Sequence, residues 1–148
     1  ARVPTFRLTH IHRQGRGSRI VQNAHRILRG ELPEYPQRGD ISSDCYFFAA
    51  EDAQRCAERT VEVVTERIPR AFGFDWVESV QVLAPMYRGE CGVDALNERL
   101  RAALGQRGPE FRLGQRVWRV GDRVIHTRND YDKEVFNGDM GRISAVAE

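Results

Sequence analysis

Arg13 stands in "HIHRQGRGS", where a β-rich run ends and a glycine-rich loop leads into a helical pattern. Ligands of open α/β sheets bind beyond the carboxyl ends of strands, so an arginine delivered there is placed to reach a bound anion. A guanidinium at that point can neutralise charge on the γ-phosphate of a nucleotide gripped by another lobe, the chemistry of an arginine finger. The competing reading pairs Arg13 with a surface carboxylate, and on the residues alone that reading is preferred. His10 and His12 alternate onto one side of the same run, the geometry of a metal pair. Two ligands are too few, no carboxylate or cysteine completes them nearby, and no metal site is expected.

Two further stretches carry chemistry. In "VQVLAPMYRGECGVDALNERL", residues 80–100, an apolar run ends at Pro85 and a loop bearing Arg88 turns into a helix. Backbone amides of Gly89 and Gly92, near the helix start, are placed to hold a phosphate of a nucleic-acid backbone. Equally, those glycines serve only the shape of an ordinary turn. In "GDRVIHTRNDYDKEVFNGDMGRI", residues 121–143, Asn129, Tyr131, Lys133, Phe136 and Asn137 gather polar, aromatic and basic groups on loops. Small barrels bind nucleic acid by base stacking and backbone contacts. The alternative is turn chemistry, with Asn and Gly supplying positive φ and the aromatic rings filling a barrel. That alternative is preferred for Phe136 and Asn137 and left open for Tyr131.

The elements that must position these residues are set by periodicity. Residues 5–11 alternate as a strand. Ser18 is the predicted N-cap of a helix carrying Ile20, Val21, Ala24, Ile27 and Leu28, which Gly30 stops. A Pro/Gly-rich loop comes next, and "DCYFFAA" (residues 44–50) reads as a short buried strand. The clearest helix is "EDAQRCAERTVEVVTERI", with Ala53, Cys56, Ala57, Thr60, Val61, Val64 and Ile68 on one face. Glu51 and Asp52 suit the positive end of its dipole, and Pro69 is expected to close it. "SVQVLAP" (residues 79–85) is a near-continuous apolar strand, and a helix around residues 93–104 carries Leu96, Leu100 and Leu104. Such alternation predicts βαβ units on a mainly parallel sheet. From about Phe111 short strand-like runs at 115–120, 123–127 and 142–146 take over, and Asn137-Gly138 is a strong turn signal. The expected fold class is α/β: an incomplete parallel-sheet lobe over residues 1–110, then the first strands of a small β-barrel over 111–148.

Composition narrows the function classes. The chain has 148 residues, enough for one domain, or for one domain and part of another. It is 41% hydrophobic and has no apolar run near the ~20 residues that cross a bilayer, so a soluble globular protein is expected. Three scattered cysteines without CxxC spacing fit a reducing cytoplasm, where they pack as small hydrophobes. There are 22 arginines and a single lysine, Lys133. Arginine favours bidentate phosphate contact, and a GC-rich genome accounts for the excess equally well. Lys133 lies in "DYDKEV" with no glycine-rich loop before it, so no GxxxxGK[ST] phosphate loop exists here. The start at "ARVPTFRL" and a barrel that begins near residue 111 and is only partly built by residue 148 lead to the expectation of a piece of a larger protein.

Taken together, "LTHIHRQGRGSRIVQNAHRILRGELP", "VQVLAPMYRGECGVDALNERLRAAL" and "GDRVIHTRNDYDKEVFNGDMGRI" resemble, in order and spacing, the RecD/TraA family of superfamily-one DNA helicases. The resemblance covers nearly the whole chain and is weakest over residues 36–74. It implies that residues 1–110 are part of a second RecA-like lobe and that 111–148 begin its SH3-like insertion. It implies an ATP-dependent enzyme that walks 5′ to 3′ on single-stranded DNA and unwinds duplex, with ATP and Mg²⁺ between two lobes. On that basis Arg13, with Gln14 beside it, would reach the ATP, and Met86, Arg88 and Gly89 would contact DNA. Asn129 and Tyr131 match the family pattern as further DNA contacts. The implied partners are single-stranded DNA, duplex ends or forks, ATP, and other subunits of a recombination or repair complex, with no membrane and a cytoplasmic location. The phosphate loop, the Asp-Glu pair that holds Mg²⁺ and the Thr-x-His-x-x-Gln-Gly-type element are absent, so these residues alone are expected to hydrolyse no ATP. "RAALGQRG" also departs from the Leu-Asn-Pro usual at that helix end. Two other readings stay open: a non-enzymatic nucleic-acid-binding module with an SH3-like barrel, and the helicase part of a conjugative relaxase.

Overall fold

The computed structural model describes residues 3–6, 12, 14–15, 17–105, 108–114 and 116–146. The chain divides into two compact units, Ala1–Ala49 and Ala50–Glu148.

The first unit is built around helix α1 (Arg19–Leu28), capped as expected by Ser18, whose hydroxyl oxygen accepts from the Val21 amide. The same hydroxyl donates to Asp44 Oδ2, and Asp44 Oδ1 accepts from the Arg19 amide at 2.8 Å. A carboxylate thus sits on the positive end of the helix. The Ser18 hydrogen bond, foremost, holds the Asp44 carboxyl below the usual aspartate range. The residue that α1 buries is Asn23. Its side-chain amide donates to the Glu34 carbonyl and its oxygen accepts from the Glu34 amide, both at 2.8 Å. The helix therefore holds the polar loop after it with its polar side, because loop backbone must be satisfied somewhere. The apolar stripe of Ile20, Ile27 and Leu28 stays exposed. Residues 44–50 form no strand; Tyr35 and Phe47 stack there with ring centroids 5.1 Å apart.

The second unit opens with α2 (Ala53–Glu62), whose N-cap Asp52 accepts from the Arg55 amide at 2.7 Å. The expected stop at Pro69 does not occur. A π-helical turn at Val63–Arg67 intervenes, in which the Ile68 amide reaches back to the Val63 carbonyl, and α3 (Ile68–Phe72) continues the rod. Proline has no N–H and its ring presses on the carbonyl four residues back, here that of Thr65; the wider turn relieves both problems. The rod ends at Gly73, left-handed at φ 69°, whose amide bonds the Pro69 carbonyl at 2.9 Å. A short helix not foreseen from periodicity, α4 (Trp76–Ser79), comes after it under an Asp75 cap. α5 (Val93–Leu104) lies where its leucines place it and packs on α2. Among the described residues the buried apolar side chains are Ala57, Val64 and Leu96, from these helices and the turn between them.

Among the described residues the strands are all in antiparallel pairs. β1 (Glu110–Leu113) pairs β2 (Arg116–Arg119) with Phe111 opposite Trp118, and β3 (Arg123–Ile125) pairs β4 (Met140–Arg142) with Val124 opposite Gly141. The second ladder is lengthened by the Gly121 amide on the Ile143 carbonyl at 2.7 Å and the His126 amide on the Asp139 carbonyl at 2.8 Å. These strand pairs are consistent with a small SH3-like module, but among the described residues they close no barrel. The expected parallel sheet is likewise not formed among them: residues 79–85 have no ladder partner, and Leu83 is 90% exposed. A parallel strand draws its hydrogen bonds from strands distant in sequence, so its own residues cannot complete the ladder. No helix among the described residues is long and apolar enough to cross a membrane.

Candidate nucleic-acid interface

The loop between β3 and β4, residues 126–139, is folded by its own polar groups. Asp130 and Val135 exchange both backbone hydrogen bonds, at 2.7 and 3.0 Å. A second turn spans residues 136–139: the Asp139 amide bonds the Phe136 carbonyl at 3.0 Å, and Gly138 sits at φ 98°. Positive φ at the third turn position is what glycine permits, so the Asn137-Gly138 signal is real. It lies inside the long connection rather than directly between two strands.

Asn129 ties these turns together. Its side-chain oxygen accepts from the Asn137 amide at 2.8 Å and its amide nitrogen donates to the Tyr131 hydroxyl at 3.1 Å. Tyr131 also meets Phe136 edge to face, with centroids 5.9 Å apart at 74°. The ring is thus fixed at one edge and at its hydroxyl while 74% of the residue stays exposed. An immobilised, solvent-facing aromatic is a platform on which a base can stack. Phe136, the preferred barrel filler, is 45% exposed and acts as the prop for Tyr131. Lys133 pairs with Asp130 at 3.1 Å, and this contact, first of all, holds the Asp130 carboxyl below the usual range. Its charge is spent within the loop. Arg128 is exposed and forms no ion pair among the described residues.

The loop at residues 86–92 folds back over the start of α5. The Val93 amide donates to the Met86 carbonyl at 3.0 Å, Asp94 to Tyr87 at 3.2 Å, and Gly92 to Gly89 at 2.9 Å. The Gly92 amide, one candidate for holding a phosphate, is therefore occupied, and the loop's free chemistry lies in its side chains. Met86, Tyr87 and Arg88 are exposed, and Arg88 forms no ion pair among the described residues. Gly89 takes φ 90° at the loop tip, while Gly92 is buried under the chain. Beside it Cys91 donates its thiol to the Ala53 carbonyl at 2.8 Å. Burial, chiefly, and then the neighbouring Cys56 raise that thiol's pKa.

Of the residues singled out from sequence, Asn129 and Tyr131 meet directly, and Met86, Arg88 and Gly89 share one loop. No hydrogen bond or ion pair among the described residues joins the two groups. Gln14 is half-buried in the first unit, and Arg13 lies outside the described residues, as does His10. Among the described residues no cluster of three metal-ligating side chains gathers. Sequence reasoning missed three arginines. Arg123 donates to the carbonyls of Val77 and Val80, Arg142 pairs with Glu78, and Arg101 pairs with the nearly buried Asp122 at 3.1 Å. Nothing in their spacing distinguishes them from surface arginines.

Residues 96–148 match the family described as the ATP-dependent RecD-like DNA helicase SH3 domain, beginning within α5 and taking in both hairpins. The chain is 34% identical over 141 residues, 95% of its length, to a protein of Deinococcus radiodurans named ATP-dependent RecD2 DNA helicase. It is 34% identical over 68 residues, 46% of its length, to the RecBCD enzyme subunit RecD of Mycolicibacterium smegmatis. The matched parts span 18% and 12% of those relatives, so the chain corresponds to less than a fifth of either. Over residues 96–148 the chain is thus similar to the SH3 domain of ATP-dependent RecD-like DNA helicases, and over nearly all of its length it is similar to a RecD2 helicase.

Proposed function

We propose that this chain serves in a RecD-type ATP-dependent DNA helicase, supplying an arginine to the ATP site and part of the track for single-stranded DNA. The observation that carries the proposal is similarity to one helicase along 95% of the chain, through the Arg13 stretch and the SH3-like module alike. In this reading residues 1–110 contribute to the second RecA-like lobe and 111–148 begin the SH3-like insertion. Arg13 offsets charge on the γ-phosphate as the bond to it breaks, with Gln14 beside it, and the direction of travel is 5′ to 3′. ATP and Mg²⁺ would be gripped elsewhere, since the sequence has no GxxxxGK[ST] phosphate loop. Bound there, they supply the phosphoryl-transfer chemistry that drives movement.

The DNA track consists of the exposed side chains of Met86 and Arg88, the close backbone approach allowed by Gly89, and the platform of Tyr131 oriented by Asn129. Arg88 would meet phosphate and Tyr131 a base face, a division that gives affinity with little sequence preference. Implied partners are single-stranded DNA, duplex ends or forks, and other subunits of a recombination or repair complex. The test is Arg13→Ala in the full-length enzyme. DNA-stimulated ATP hydrolysis is expected to fall by about 10³-fold or more, with nucleotide binding largely kept. Turnover like the wild type would overturn the assignment.

A further inference from the structure

Arg123 leaves β3 and ends on α4. Its Nη1 donates to the carbonyls of Val77 at 2.8 Å and Val80 at 3.1 Å, and its Nη2 lies 3.1 Å from the Met140 sulfur on β4. A helix of four residues leaves its last carbonyls without intrahelical donors, and a planar guanidinium can serve two of them together. Two more ties run in parallel: Arg142 on Glu78, and Arg101 of α5 on Asp122, which also accepts from the Arg119 amide at 2.9 Å. Beyond Val80 the chain leads into loop 86–92, and beyond β3 it enters the loop carrying Tyr131. One side chain joins the roots of both.

We infer that Arg123 is a positioning residue that fixes loop 86–92 and loop 126–139 relative to each other so that a single DNA strand engages both. This rests on the proposed DNA track. Two contacts held at a fixed separation turn the second binding event into an intramolecular one, whereas the same contacts on loosely joined segments lose that advantage. The signature is a step in affinity when the strand becomes long enough to span both loops. Loss of fold would instead weaken binding at every length.

The experiment measures binding of oligodeoxythymidines of about 4 to 16 nucleotides to the full chain by fluorescence anisotropy at one salt concentration. Wild type is expected to gain about 10²-fold at the spanning length. Arg123→Ala keeps the short-oligonucleotide affinity within about twofold and loses most of that gain, and Arg123→Lys recovers part of it. If Arg123→Ala fails to fold by circular dichroism, Arg123→Gln, whose amide nitrogen ends two bonds short of the Nη1 position that meets both carbonyls, takes its place with the same expectation. A step retained in the alanine or glutamine variant refutes the positioning role and leaves the DNA track standing. No step in the wild type shows that the two loops do not share a strand, and both readings fall.

Discussion

Gly92→Ala is the sharpest probe of loop 86–92. A Cβ on Gly92 would lie 2.5 Å from the Tyr87 carbonyl oxygen, 2.6 Å from that of Arg88 and 2.7 Å from the Arg88 carbonyl carbon. All three are backbone atoms, so no side chain can swing aside and the loop itself must lift. Lifting it breaks the Val93–Met86 and Asp94–Tyr87 hydrogen bonds, 3.0 and 3.2 Å long. At about 0.5–1.5 kcal/mol each they sum to about 1–3 kcal/mol. Alanine is also a poorer N-cap than glycine, and its lower unfolded-state entropy returns about 0.4–1 kcal/mol. The expected net loss is about 1–3 kcal/mol, read as a lower urea midpoint at unchanged slope, with faster hydrogen exchange at the Val93 and Asp94 amides. Gly89→Ala is the control: nothing lies within 4 Å of its Cβ, so only the strain of φ 90° acts, about 1–2 kcal/mol, and those amides stay protected. Wild-type stability in Gly92→Ala, with both amides still slow to exchange, would show that the loop is not held as described.

Three other substitutions test the remaining sites. Asn129→Ala removes the acceptor of the Asn137 amide and the donor to Tyr131, and is expected to cost about 0.5–1.5 kcal/mol in urea unfolding. Its loss of single-strand affinity should be smaller than that of Tyr131→Ala, which removes a stacking platform worth about 1–3 kcal/mol per base. Asp44 has a folded pKa below its unfolded one, so it adds stability above the ordinary aspartate value of about 3.9 and loses it as pH falls from there towards the folded value. Thermal melting from about pH 6 down to about pH 3 should therefore show a shallower acid decline in Asp44→Asn than in wild type. Equal declines would mean that the Ser18–Asp44 cap carries no pH dependence.

Legibility tracked the range of the forces involved. Ser18 as a cap, Asp52 at the start of α2 and the leucine stripe of α5 are settled within a few residues, and each is where local spacing puts it. The expected strands at 44–50 and 79–85 depend on ladders from distant segments, and neither forms among the described residues. In α1 the apolar period is correct for a helix, yet Asn23 rather than Ile27 is buried, because backbone satisfaction of the Glu34 loop decides the packing. Tyr131 could be singled out as an aromatic among turn residues. The Asn129 and Phe136 contacts that immobilise it could not, since they join residues across a loop whose path no periodicity encodes. Arg123 was hidden for the plainest reason: its partners are backbone carbonyls 43 and 46 residues away, which leave no mark on the side-chain pattern.

The wide turn at Val63–Arg67 has a frame-setting consequence. An α-helix advances about 100° per residue, so every side chain after an inserted residue is re-aimed by about that angle relative to those before it. Deleting one residue from this turn would not merely shorten the rod. It would swing Ile68, Phe72 and everything reached through Gly73 to another side, while forcing Pro69 back against a carbonyl, so the number of residues between Glu62 and Ile68 is itself part of the design.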